Sequence, residues 1–117
     1  MTTEELKNRT KQMASRVVRL VASLPHTREA DVIGRQLLRA GISVGANYRA
    51  ACKARSKAHF VSKIGIVEEE ADETPYWLEL ISESKIVRPQ SLKDLMKEVG
   101  ELVAIFTASG RTAKRHH

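Results

Sequence analysis

A chain of 117 residues, 42% of them apolar, is long enough for one domain with a real core. One cysteine, Cys52, excludes an internal disulfide and a cysteine-based zinc site, and no apolar run approaches the roughly 20 residues of a membrane span. The formal net charge of +6 is concentrated: between Asp31 and Glu68 there is no other carboxylate, while Arg35, Arg39, Arg49, Lys53, Arg55, Lys57 and Lys63 lie inside, which leaves 13 basic and 14 acidic residues elsewhere.

Aromatics make up only 4% of the chain, so Leu, Ile, Val and Ala must supply the core, which suits helices packed on helices. The N-terminus opens on Thr2, Thr3, Glu4 and Glu5 and stays polar, unlike a signal peptide. A cytoplasmic protein is expected, free of the membrane, with Cys52 as a buried, inert thiol.

Thr2 and Glu5 have capping-box spacing, so helix one is predicted to start at Thr2 or Thr3. Leu6, Thr10, Met13, Val17, Leu20 and Leu24 then recur by fours and threes, and Pro25 ends the helix. Thr27 is an N-cap for helix two, whose spine reads Ala30, Ile33, Leu37, Ala40, Val44, Asn47 and Ala51. On a wheel of about 100° per residue, Arg28, Arg35, Arg39, Arg49 and Lys53 fall opposite that spine. Gly34, Gly41 and Gly45 form a third stripe on one flank. Glycine inside a helix costs about 1 kcal/mol against alanine, so three on one line predict close approach by another backbone.

The turn is placed within Ala50 to Arg55, and Ser56 caps helix three. Its spine is Phe60, Ile64, Val67, Ala71, Thr74, Leu78 and Ile81, with a kink expected at Pro75. Lys85 to Gln90 is a connector. Helix four is predicted from Ser91 to Ser109 on Leu92, Leu95, Met96, Val99, Leu102, Val103 and Phe106, with Gly110 ending it. The resulting expectation is an all-α, antiparallel up-down-up-down four-helix bundle over residues 1–110 and a frayed basic tail over 111–117.

Chemistry-bearing sets are scarce. No His follows a Glu by three residues, as di-iron bundles require, so neither metal nor cofactor is expected. Glu68, Glu69, Glu70, Asp72 and Glu73 spread around the helix instead of converging, which reads as a solvated, charge-paired face. No nucleophile–His–acid set stands out, and the glycines sit in a helix, not in a phosphate-binding loop. Asn47 reads as a buried amide that fixes helix register. No enzyme activity is expected.

Ser43-Val44-Gly45-Ala46-Asn47-Tyr48 followed by Arg55-Ser56-Lys57 resembles the bacterial four-helix-bundle proteins encoded in intervening sequences of 23S ribosomal RNA genes, a family that includes the accessory protein of diversity-generating retroelements. The resemblance extends over nearly the whole chain. It is strongest from Asp31 through Arg39, from Val67 to Glu73, and over Tyr76-Trp77-Leu78-Glu79-Leu80. It implies an up-down-up-down bundle, ring-shaped homo-oligomers (often pentamers) and no established catalysis; the retroelement members bind nucleic acid and a reverse transcriptase. The chain departs from the family where Asn47-Tyr48-Arg49-Ala50-Ala51 replaces the usual Asn-Ile-Ala-Glu-Gly, at His59, where an acid is frequent, and at Pro75, where leucine is usual.

Two surfaces emerge as expectations. Ile66, Trp77 and Leu80 lie off the helix-three spine and predict a second buried contact, which the resemblance turns toward a subunit interface. The basic stripe of helix two, continued by Arg55 and Lys57, predicts a surface for RNA or DNA phosphates. Its competitor is pairing between subunits with Glu68, Asp72, Glu79 and Glu83 of helix three. The leading expectation is an oligomeric, nucleic-acid-binding adaptor; the alternative is a structural or protein-binding ring.

Overall fold

Three hydroxyl side chains set the starts of three helices. Thr2, Thr27 and Ser56 each hold an extended backbone and accept a hydrogen bond from the N–H three residues on, at Glu5, Ala30 and His59. Each satisfies a donor that the first helical turn leaves open. The computed structural model describes residues 1–115, in four helices: α1 (Thr3–Ala22), α2 (Arg28–Cys52), α3 (Lys57–Glu83) and α4 (Pro89–Arg115). No strand occurs among the described residues. The molecule measures 45 × 23 × 21 Å, a rod one long helix in length.

Side-chain neighbours fix the directions. Val21 and Leu24 face Gly34, Val17 faces Gly41 and Thr10 faces Gly45, so α1 and α2 run oppositely. Arg9 meets Glu98 and Glu101, while Arg16 and Leu20 border Ser91 and Leu95, so α1 and α4 also run oppositely. Lys57, Phe60 and Val61 lie beside Ala108, Ser109 and Thr112, reversing α4 against α3. With α1 and α3 both opposed to α4, the four helices alternate. Sequential neighbours pack most closely, and of the adjacent pairs α1 and α4 touch least.

The core follows the expected spines, with Met13, Val17, Leu37, Val44, Ile64, Val67, Leu78, Ile81, Val99 and Phe106 almost fully buried. The glycine stripe does what its spacing predicts: it lets α1 side chains sit directly on the α2 backbone. On α2 the buried face is wider than the spine, since it includes this stripe and Tyr48. Tyr48 packs its ring on Phe106 at 5.4 Å between centroids. Asn47, half-buried, donates to the Ser43 carbonyl at 2.9 Å; this bond stays within α2 and sets no register between helices.

Three local expectations change. α1 ends at Ala22, and Leu24 reaches the core from beyond the helix. As expected, α3 is by contrast one helix through Pro75, with Thr74 donating to the Glu70 carbonyl at 2.8 Å. α4 starts at Pro89, where a missing N–H is harmless, and passes through Gly110 to Arg115. Gly110 is buried under the Glu68 carboxylate and does not adopt the positive φ of a helix stop. Cys52 is exposed, not buried. The pairing of Thr10 with Gly45 brings the first residue of α1 level with Cys52, so no helix remains to cover it.

The α3–α4 corner is a Schellman turn. Lys85 holds φ 58°, its N–H donates to Ser82 and the Ile86 N–H donates to Ile81, at 3.1 and 3.2 Å. Ile86 also packs on the core, as the motif requires.

Candidate nucleic-acid interface

The core-facing side of α2 is committed to α1 and α3, which leaves its outer side for the cations. Arg28, Arg35, Arg39, Arg49 and Lys53 are all exposed along it, and Arg55 and Lys57 come next, in the connector and at the start of α3. Their surroundings differ. Arg39 reaches to α3, where Nη1 bonds the Glu70 carboxylate at 3.2 Å and Nη2 bonds Glu73 Oε1 at 2.6 Å. The hydrogen bond to Glu70, followed by that to Glu73, raises the Arg39 pKa above its ordinary value. Glu73 Oε1 also accepts from Trp77 Nε1 at 2.9 Å. Part of the acidic run is therefore charge-paired within one chain, and Arg39 acts as a strap between α2 and α3.

Exposed Arg35 donates from Nε to the Asp31 carbonyl at 3.3 Å, a bond within α2. Among the described residues no carboxylate lies within ion-pair distance of Arg28, Arg35, Arg49, Lys53 or Arg55. Arg49 also borders a shallow groove with Lys7 and Lys11 of α1, over a floor of Ala14, Ile42, Gly45 and Ala46. Sequence reasoning missed these α1 cations. Their neighbourhood to Arg49 depends on the α1–α2 register, which only the glycine stripe hints at.

The α1–α4 side carries a second strap. Arg9 bonds Glu98 through Nε at 3.0 Å and Nη2 at 2.6 Å, and Nη2 also bonds Glu101 at 3.0 Å. The Glu98 bond is the main cause of a raised Arg9 pKa. It joins the two adjacent helices that otherwise touch least.

Ile66, Trp77 and Leu80 are all half-buried. Trp77 is seated against the core, with Tyr76 edge-on to its ring at 4.9 Å. Tyr76 itself is 54% exposed, on the same outer side of α3 as the exposed Asp72, Glu79 and Glu83. Glu68, one turn before Asp72, is half-buried with its carboxylate over Gly110, and the two line one groove with Thr107 and Lys114. Near the bundle's far end, burial pushes the Tyr48 phenol up, helped by a hydrogen bond with Cys52. Among the described residues no three His, Cys, Asp or Glu side chains come together as metal ligands do, and no helix is long and apolar enough to cross a membrane. His116 and His117 lie outside the described residues.

These features define a class: a long four-helix bundle whose conspicuous surface is a line of cations, most of them without a carboxylate partner among the described residues. The chain belongs to the 23S rRNA-intervening sequence protein family, which it matches over residues 3–108. Among solved structures it is similar to a protein of unknown function from the S23 ribosomal protein family of Bacteroides thetaiotaomicron. The two are 31% identical, with a TM-score of 0.86, over 95% of this chain and 99% of that one. No curated protein matches the chain.

Proposed function

We propose that this protein is a non-enzymatic, oligomeric adaptor that holds nucleic-acid backbone on the outer face of α2. One observation carries the reading: Arg28, Arg35, Arg49 and Lys53 are exposed on one side of α2, Arg55 follows in the connector, and none has a carboxylate partner among the described residues. Such cations neutralise phosphates and release counterions, which gives affinity with little base preference. An oligomer repeats the line and strengthens its field.

The intramolecular strap decides which residues to change. Arg39→Glu would set a third carboxylate beside Glu70 and Glu73, so any loss of binding would mix with damage to the fold. Arg35→Glu, Arg49→Glu removes two cations that hold no other helix. Labelled duplex at low salt should bind wild type and bind the double variant far more weakly, with the mass by light scattering unchanged. No binding by wild type refutes the reading.

A second reading has its own observation. The outer side of α3 presents Asp72, Glu79 and Glu83 around exposed Tyr76, opposite in charge to the α2 line. If the double variant separates into monomers, the charges serve assembly and the structural ring is the better account.

A further inference from the structure

One end of the molecule brings cations together, from the α2–α3 connector and the end of α4. α2 ends at Cys52, the connector carries Lys53 and Arg55, and α3 starts at Lys57. α4 comes back to the same end, as the Tyr48–Phe106 contact requires, and carries Arg111, Lys114 and Arg115. α1 also starts at this end and adds exposed Glu4 and Glu5, which the cations outnumber, while the opposite end is more evenly mixed, with Arg28 beside Glu29 and Asp31, and Lys85 and Arg88 beside Glu83. Residues 111–115, expected from sequence to belong to a frayed tail, are the last turn of α4 and a wall of this basic end; 116–117 lie outside the described residues.

This end also holds a groove of about 440 Å³, within the range of small-ligand sites. Phe60 and Val61 form one wall, and Ala108, Thr112 and Ala113 the other, with Lys57 and Ser109 completing it. Its origin is a mismatch of helix lengths. α1 has 20 residues and α4 has 27. Arg9 of α1 is level with Glu98 and Glu101, so Thr3, six residues back along an antiparallel helix, comes level with about residue 106. From Ala108 onward, α4 has no α1 beside it.

We infer that this groove takes an unpaired nucleotide of a bound strand, with its base against Phe60 and its phosphates on the flanking arginines. The inference rests on the proposed nucleic-acid binding and names a separate place and a particular form of the ligand. Arg111 is three residues from Ala108 and Arg115 three from Thr112, so both share a surface with the α4 wall. Arg55 stands before the α3 wall. The acids on this part of α3, Glu68, Glu69 and Asp72, line a different groove with Thr107 and Lys114. An apolar slot with an aromatic wall, hydroxyls at its edge and cations on both sides matches a flat base between two phosphates. The long outer face of α2 offers no exposed aromatic for that purpose: Tyr76 is on α3.

The test uses a 5′-phosphorylated trinucleotide containing 2-aminopurine, too short to span the α2 line, and a blunt duplex as a second probe. The proteins are wild type, Ala108→Leu, which fills the groove without changing charge, and Arg35→Glu, Arg49→Glu. The trinucleotide should bind wild type with quenched fluorescence, and Ala108→Leu should weaken it about tenfold, the loss of one stacked base. The duplex should bind Ala108→Leu as it binds wild type. If the trinucleotide does not bind at low salt, or binds Ala108→Leu equally, the groove proposal is overturned, whatever the duplex does. If the trinucleotide binds as expected and the duplex does not, the α2 reading fails and the groove stands. Displacement of the trinucleotide by dodecanoate at lower concentration than by free nucleotide would make the groove an acyl site and overturn the proposal.

Discussion

Gly41→Ala should destabilise the bundle, although it puts the best helix former in place of nearly the worst. In an open position the exchange stabilises a helix by about 1 kcal/mol. At Gly41 a Cβ would meet both γ-methyls of Val17 at 3.0 Å and its Cβ at 3.3 Å. Val17 is fully buried and β-branched, so it has one comfortable rotamer in a helix and no room to turn. Overpacking of this kind costs about 1–3 kcal/mol, which outweighs the propensity gain by up to about 2 kcal/mol. Gly65 and Gly100 are the controls, since a Cβ at either meets nothing within 4 Å. Gly65→Ala and Gly100→Ala should each raise the thermal midpoint by about 4 °C, the shift for about 1 kcal/mol in a domain of this size. Thermal and urea unfolding at one protein concentration measure all three. Gly41→Ala should lower the midpoint, and adding Val17→Ala should shrink the penalty of the glycine change, because the two residues are in contact. If Gly41→Ala stabilises as much as Gly100→Ala, α1 does not pack on the α2 backbone as described.

Lys85→Gly should stabilise by about 1 kcal/mol, because a side chain is held in the left-handed region at that Schellman turn; an unchanged urea midpoint contradicts it. Tyr48 has its pKa raised above 10.0 by burial, so the phenol resists ionising in the folded state. Its contribution to stability is fully present below about pH 10 and is lost as pH rises through the raised folded value. Tyr48→Phe should therefore lose less stability than wild type between about pH 9.5 and 11, and parallel curves would refute this. Light scattering should give a multiple of 13.1 kDa, five chains on the family resemblance. Because Trp77 is also seated on the core and bonded to Glu73, the face is better tested at half-buried Leu80. Leu80→Arg should cut the mass while the fold persists, and an unchanged mass puts the interface elsewhere.

The features legible in the sequence are those encoded within one helix. Thr2, Thr27 and Ser56 act as caps through bonds spanning three residues, and the glycine line reports α1 packing because only glycine leaves that space. Features that depend on the register between helices are not legible. Arg39 looks like one cation in a row, and only the α2–α3 alignment reveals Glu70 and Glu73 opposite it. Tyr48 escapes a spine drawn by threes and fours because α2 is buried against two neighbours, so its apolar arc is broader than a single stripe. Cys52 has the composition of a core position but lies level with the first residue of α1. Gly110 resembles a stop, yet a helix ends where its backbone turns, and here the Glu68 side chain lies across the glycine instead. That resemblance hides the second wall of the basic end.

The sharpest test of phosphate binding by the α2 cations is the salt dependence of duplex affinity. Each phosphate of a duplex neutralised contributes about 0.9 to the slope of log affinity against log salt. Wild type should show a steep slope, and Arg35→Glu, Arg49→Glu a slope shallower by about 1.8 with the oligomer intact. Equal slopes for the two proteins would contradict phosphate binding on α2.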